Sequence, residues 1–275
     1  MDIWHRITFH KLEEMEGELN NLSVKYKKVP LFGDSYLISF DIAESDPSWP
    51  LVAKFVQQKN APNIYDTIFT KQEILEAEWV RLKPIFEQGY PQPKDTFEWR
   101  DNTFSFVCHK CGIAHGQKAP FHLRKEPKMG KNDFLSLYWA YTLFCNAKVI
   151  AVFDANQFQG YEALEALIHR TNQSSKTVKQ LFVPHIAKPG LADLDKEQPE
   201  TCPSCGLTKY LYHKRGYIHI QRDSLNTDVD FQLTHEWFGS GGRNAFREYL
   251  ISQRVARVIL EQGWRGVVLK PIELV

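Results

Sequence analysis

An α+β fold with antiparallel sheets, several packed helices and a pair of cysteine knuckles is what the sequence predicts, and three observations predict it. Short strand-like segments rich in aromatic and β-branched residues interleave with stretches of helical spacing. Two C-x-x-C-G motifs stand far apart, at Cys108, Cys111 and Gly112 and at Cys202, Cys205 and Gly206. Apolar residues are 43% of the 275 and charged residues 24%, enough core material to fold without a framework of cross-links. The length suits one large domain, 1–275, within which a small N-terminal lobe, 1–95, can be set apart from a metal-binding body, 96–275.

The elements follow in order. Residues 29–42 alternate loosely around a Gly33-Asp34 turn and predict a hairpin or a strand with its neighbour. Residues 51–59 place Leu51, Val52, Phe55 and Val56 on one helical face. Thr70 followed by Glu73 has the capping-box spacing, and Ile74, Ala77, Val80 and Leu82 continue an apolar stripe, so a helix is expected over 71–83. Two prolines make 89–93 an extended connector. The aromatic alternation of 97–107 predicts a strand pair turning at Asp101-Asn102 and ending at Cys108.

Residues 132–148 combine good helix formers with an apolar face on Phe134, Leu135, Tyr138, Tyr141 and Phe144, and predict a buried helix. Residues 161–170 lean to strand, ahead of a strand over 178–186. A polar loop over 187–201 leads to the second cysteine pair. The spacing of 209–221 predicts a hairpin turning at Lys214-Arg215-Gly216. A long helix is expected over 243–262, stopped by Gly263, with a closing strand over 267–269.

A formal net charge of +1 gives no global reason to expect nucleic acid or an anionic membrane as the main partner. The N-terminus lacks a signal-peptide layout and no run has membrane-spanning length, so a cytoplasmic protein is expected. Five cysteines, four of them in C-x-x-C pairs, fit metal ligation better than a secreted disulfide framework.

In each C-x-x-C-G two thiolates converge from a tight turn, and the glycine supplies a positive φ without a Cβ clash. The expected site is one tetrahedral, structural Zn²⁺ held by Cys108, Cys111, Cys202 and Cys205, with metal-free thiols, disulfides or a thioredoxin-like redox pair as the competing readings. Four thiolates leave the metal no open position for water activation. His109 and His115 flank the first knuckle as substitute ligands or surface residues. Cys145 stands alone and reads as a packed apolar side chain rather than a nucleophile.

Lys118, Arg124, Lys125, Lys128 and Lys131 form the best local basic patch, readable as a contact for an acidic protein or a phosphate backbone, or as a solvated loop. Gly239 to Gly242 precede the expected C-terminal helix as an anion cradle or a plain linker. His235-Glu236 has no nucleophile motif beside it. No catalytic signature can be assembled, and a non-enzymatic protein is expected.

The two C-x-x-C-G motifs, together with Ser252, Leu260, Gly263, Gly266 and Pro271 near the C-terminus, resemble the double-CxxCG family of bacterial proteins. That resemblance, over roughly the latter two thirds of the chain, implies a zinc-stabilised protein-binding module, some of whose relatives neutralise toxins as immunity proteins. A zinc-ribbon nucleic-acid binder and a thiol-dependent enzyme are the alternatives.

Overall fold

Strand-like alternation at the N-terminus builds a sheet that two helices cover on one face. The computed structural model describes residues 1–10, 13–94, 97–192 and 199–275. Within them the fold is mixed α+β, and the chain divides into two units, Met1–Thr70 with Lys214–Gly216, and Lys71–His213 with Tyr217–Val275.

The first unit holds β1 (Asp2–His10), α1 (Glu13–Asn21), β2 (Lys27–Pro30), β3 (Tyr36–Ala43), α2 (Trp49–Gln58) and β4 (Asn63–Ile68). The strands form an antiparallel sheet in the order β2-β3-β1-β4. Alternate residues point to one face, so Ile7 and Phe9 of β1 and Ile38, Phe40 and Ile42 of β3 meet Leu19 of α1 and Val52, Phe55 and Val56 of α2 in one core. The hairpin expected over 29–42 and the helix over 51–59 are both present. Lys214–Gly216 joins this unit because the Lys214 carbonyl accepts from the backbone N and side-chain hydroxyl of Thr67.

The second unit runs α3 (Lys71–Glu76), β5 (Trp79–Pro84), α4 (Glu98–Thr103), β6 (Phe104–Val107), β7 (Ala114–Gln117), β8 (His122–Leu123), β9 (Phe134–Ser136), β10 (Leu143–Cys145), α5 (Ala147–Ala155), β11 (Glu162–Ile168) and β12 (Gln173–Phe182). It continues with β13 (Glu200–Thr201), β14 (Thr208–Tyr210), β15 (Ile218–Ile220), β16 (Phe231–Leu233), β17 (Trp237–Phe238), β18 (Tyr249–Ser252), α6 (Gln253–Gln262) and β19 (Val267–Leu274). Two five-stranded sheets carry most of it, β15-β19-β5-β18-β16 and β8-β11-β12-β10-β9, with the smaller sheets β13-β14-β17 and β6-β7. Pairing is antiparallel except at β8 with β11, β14 with β17 and β15 with β19.

Several expected elements differ from those observed. The helix over 71–83 stops at Glu76, and 79–84 is the central strand β5 between β19 and β18. A strand covered on both faces loses its alternation and mimics helical spacing. With β5 in that sheet, the first of the two units ends at Thr70. Residues 97–103 are not a strand: α4 occupies them, and β6 pairs forward with β7. The helix over 132–148 is a hairpin, Leu143 opposite Ser136, followed by α5, whose Asn146 cap accepts from the Val149 N–H.

Residues 209–221 form no hairpin, since β14 and β15 lie in different sheets. The C-terminal helix begins only at Gln253, because Tyr249–Ser252 is drawn into β18 beside β5. Gly263 ends it in the left-handed conformation, φ +63°, and β19 follows as expected but longer. The strand reading of 161–170 holds in β11, while the strand expected over 178–186 lies earlier, as β12 ending at Phe182; the two form an antiparallel pair. Part of the loop expected over 187–201 falls on 193–198, outside the described residues. Among the described residues, no helix is long and apolar enough to cross a membrane.

Candidate metal centre

Each C-x-x-C-G lies at the tip of a two-stranded hairpin. The first joins β6 to β7, where Val107 faces Ala114; the second joins β13 to β14, where Thr201 faces Thr208. The backbone repeats itself. Cys108 N donates to the Ile113 carbonyl at 2.8 Å and Gly112 N to the Cys108 carbonyl at 2.8 Å; Cys202 N donates to the Leu207 carbonyl at 2.9 Å and Gly206 N to the Cys202 carbonyl at 2.8 Å. Gly112 and Gly206 take φ of +81° and +73°, the left-handed turn that each knuckle needs.

The fold brings the two tips together. Cys108 Sγ is 3.8 Å from Cys202 Sγ, Cys111 Sγ is 3.7 Å from Cys205 Sγ, and all four sulfurs lie within 4.8 Å of one another. A disulfide needs about 2.05 Å, so the four are free thiols. Sulfurs at about 2.3 Å from a tetrahedral ion stand about 3.8 Å apart, which is the spacing of the two pairs across the knuckles. Cys108, Cys111, Cys202 and Cys205 can therefore hold one metal ion. Ile113 and Trp237, both buried, pack against the cluster, in which Cys108, Cys111 and Cys202 are buried and Cys205 is half-buried.

The electrostatics repeat as well. The backbone N–H of Cys111, with that of Lys110, lowers the Cys108 thiol to about 6, while burial pushes Cys111 up to about 12. In the second knuckle the Cys205 and Ser204 N–H groups lower Cys202, and burial raises Cys205. Each turn thus aims amide dipoles at its first sulfur, and a cation between the turns would relieve the desolvation of the second.

Lys209, just beyond the second knuckle on β14, was not singled out by the sequence. It is 2% exposed, and its Nζ donates to the Cys111 carbonyl at 3.4 Å, the Asn244 carbonyl at 3.5 Å and the Gly241 carbonyl. It fastens one knuckle to the other and both to the 239–242 loop. Arg100 does similar work from α4, donating to the Arg243 carbonyl at 2.7 Å. Nothing in the sequence distinguishes these two cations from solvated ones.

The remaining candidates fall elsewhere. His109 pairs with exposed Asp101 at 3.2 Å and His115 stacks on Phe106 at 4.6 Å; neither joins the sulfur cluster. Cys145 is fully buried in β10, and burial drives its pKa up, away from the thiolate a nucleophile needs. Gly239 to Gly242 do not lead into a helix, because α6 starts only at Gln253. Glu236 accepts from the Gly190 and Leu191 N–H groups and anchors that loop. Lys118, Arg124, Lys125, Lys128 and Lys131 are all exposed. Neither a scan of protein-family models nor a search of curated proteins found a match to the chain.

Proposed function

We propose that Cys108, Cys111, Cys202 and Cys205 hold one structural Zn²⁺, and that the chain is a non-enzymatic, cytoplasmic binding protein whose partner is another protein. The observation that carries this reading is the sulfur spacing of 3.7 and 3.8 Å across the two knuckles. An all-thiolate tetrahedral donor set suits zinc. With four protein ligands the ion has no open position, so it would tie the knuckles together and leave water unactivated. The double-CxxCG resemblance supports the narrower reading of an immunity protein that neutralises a toxin by covering one of its surfaces.

Cys202→Ser is expected to lower zinc content and melting temperature together; full zinc retention would count against the ligand set. For the partner, the products of the flanking genes are expressed singly. The reading expects one to arrest growth, this chain to relieve the arrest, and the two to form a 1:1 complex. Flanking products that are all harmless would sink the immunity reading.

A second reading, contact with nucleic acid, draws on one observation. Lys118, Arg124, Lys125, Lys128 and Lys131 are exposed, and none has a side-chain ion pair among the described residues. It expects DNA or RNA retention that falls steeply with salt and weakens when Arg124, Lys125 and Lys128 are replaced.

A further inference from the structure

Beside the first knuckle, the second unit encloses a cavity of about 300 Å³, the lower end of the range for small-molecule sites. Its wall is aromatic, with Trp99, Phe104, Phe182, Trp237, Phe246 and Tyr249 among the lining. The polar features are few. Gln117 and Gln180 exchange reciprocal side-chain amide hydrogen bonds of 2.8 Å, and two guanidinium groups, Arg100 and Arg247, face the space. No Asp or Glu is among the described lining residues.

The charge is uncompensated at one atom in particular. The Arg247 guanidinium lies over the Trp237 ring at 4.6 Å, and its Nε is buried without a hydrogen-bond acceptor. That Nε has no accessible surface, so a ligand in the cavity would meet the outer edge of the guanidinium, which no Asp or Glu of the described lining faces. Burial also lowers the Arg247 pKa, against a smaller opposing pull from Glu236. A cation is thus unwelcome in this space and an anion is favoured.

The mouth is strained. Trp139 and Tyr141 line the cavity with φ of +66° and +46°, and Phe97, φ +63°, stacks on Trp139 at 5.2 Å. Left-handed backbone is an outlier for bulky residues, and such strain gathers at ligand clamps. Trp139 is nevertheless 62% exposed, a large ring held at the opening.

We propose that this cavity binds a small aromatic carboxylate of one or two rings, its rings among the aromatic wall and its carboxylate on Arg247. With His115, Tyr141, Thr142, Tyr249 and the tryptophan indoles the only other side chains of the described lining that carry polar atoms, the largely aromatic wall suits a ligand that is mostly ring better than a free phosphate or a sugar. The aromatic rings offer stacking and edge contacts to a planar guest, and a carboxylate matches the guanidinium fork.

The test uses the full zinc-loaded chain and isothermal titration with naphthalene-2-carboxylate and naphthalene-2-carboxamide, which share shape and rings and differ in charge and in one acceptor oxygen exchanged for an NH2 donor. The acid is expected to bind at least tenfold more tightly than the amide. Arg247→Gln should bring the two within twofold. Trp139→Gly, which suits the left-handed backbone, should weaken both at least tenfold and keeps the test open if the arginine variant does not fold. Equal affinities for acid and amide, no binding of the acid at millimolar concentration, or undiminished binding by the Trp139 variant would each overturn the proposal. So would binding confined to peptides ending in an aromatic residue, which would make the cavity a protein-docking pocket.

Discussion

Gly112 and Gly206 hold the same place after the second cysteine of each knuckle, yet their surroundings differ. A Cβ on Gly112 would stand 2.4 Å from the Arg243 carbonyl carbon, whereas one on Gly206 meets nothing within 4 Å. Alanine at 206 therefore bears only the left-handed backbone cost of about 1–2 kcal/mol, and alanine at 112 adds a clash with backbone. Thermal unfolding should show the larger loss for Gly112→Ala, with zinc content falling alongside; equal losses would contradict the difference in surroundings. Glu126 makes a second residue-scale case. Burial raises its pKa, but the Lys176 N–H at 2.9 Å and the Ser175 hydroxyl at 2.8 Å, both donating to it, leave the net value below the ordinary 4.5. A depressed folded pKa means stability that is present in full above about pH 4.5 and lost as the pH falls through the lower folded value. Urea unfolding of Glu126→Gln should accordingly show a deficit at neutral pH that shrinks in acid, and a pH-independent deficit would refute the assignment.

Among the elements, β5 explains both what the sequence disclosed and what it hid. The cysteine turns were legible because their chemistry is local: four residues, a glycine and a metal preference are written in consecutive letters. The strands of the large sheets were not, since Trp79, Val80, Leu82, Leu135, Phe144 and Ile251 are buried within them and double-sided burial erases the alternation that marks a strand. The same burial hides a charge pair. Arg81 on β5 is 1% exposed and Glu248, just before β18, is 0% exposed; Arg81 Nη1 lies 3.6 Å from Glu248 Oε1 and donates to the His213 carbonyl at 3.3 Å, while Tyr141 donates to the other Glu248 oxygen at 3.2 Å. Removing one member of a buried pair strands the other, typically at about 3–5 kcal/mol. Arg81→Met should lower the unfolding free energy by that order, and an unchanged denaturation midpoint would show that the pair carries no weight.

For the whole molecule, the decisive feature is distance along the chain. The paired sulfurs are 94 positions apart in sequence, and between them lie α5 and the β8-β11-β12-β10-β9 sheet. A clip across a segment of that length restricts the unfolded chain by about 4–5 kcal/mol in the chain-entropy model, a gain that two separately closed knuckles would not give. A shared ion would make the knuckles the fastening of a large loop, with Lys209 as its inner tie. Such a fastening requires one ion shared by both turns. Zinc K-edge X-ray absorption on the purified chain tests it most directly: one zinc per chain with four sulfur neighbours at about 2.3 Å is the result expected. A shell with only two sulfurs, completed by oxygen or nitrogen, would mean that each turn binds alone, and would contradict the shared centre.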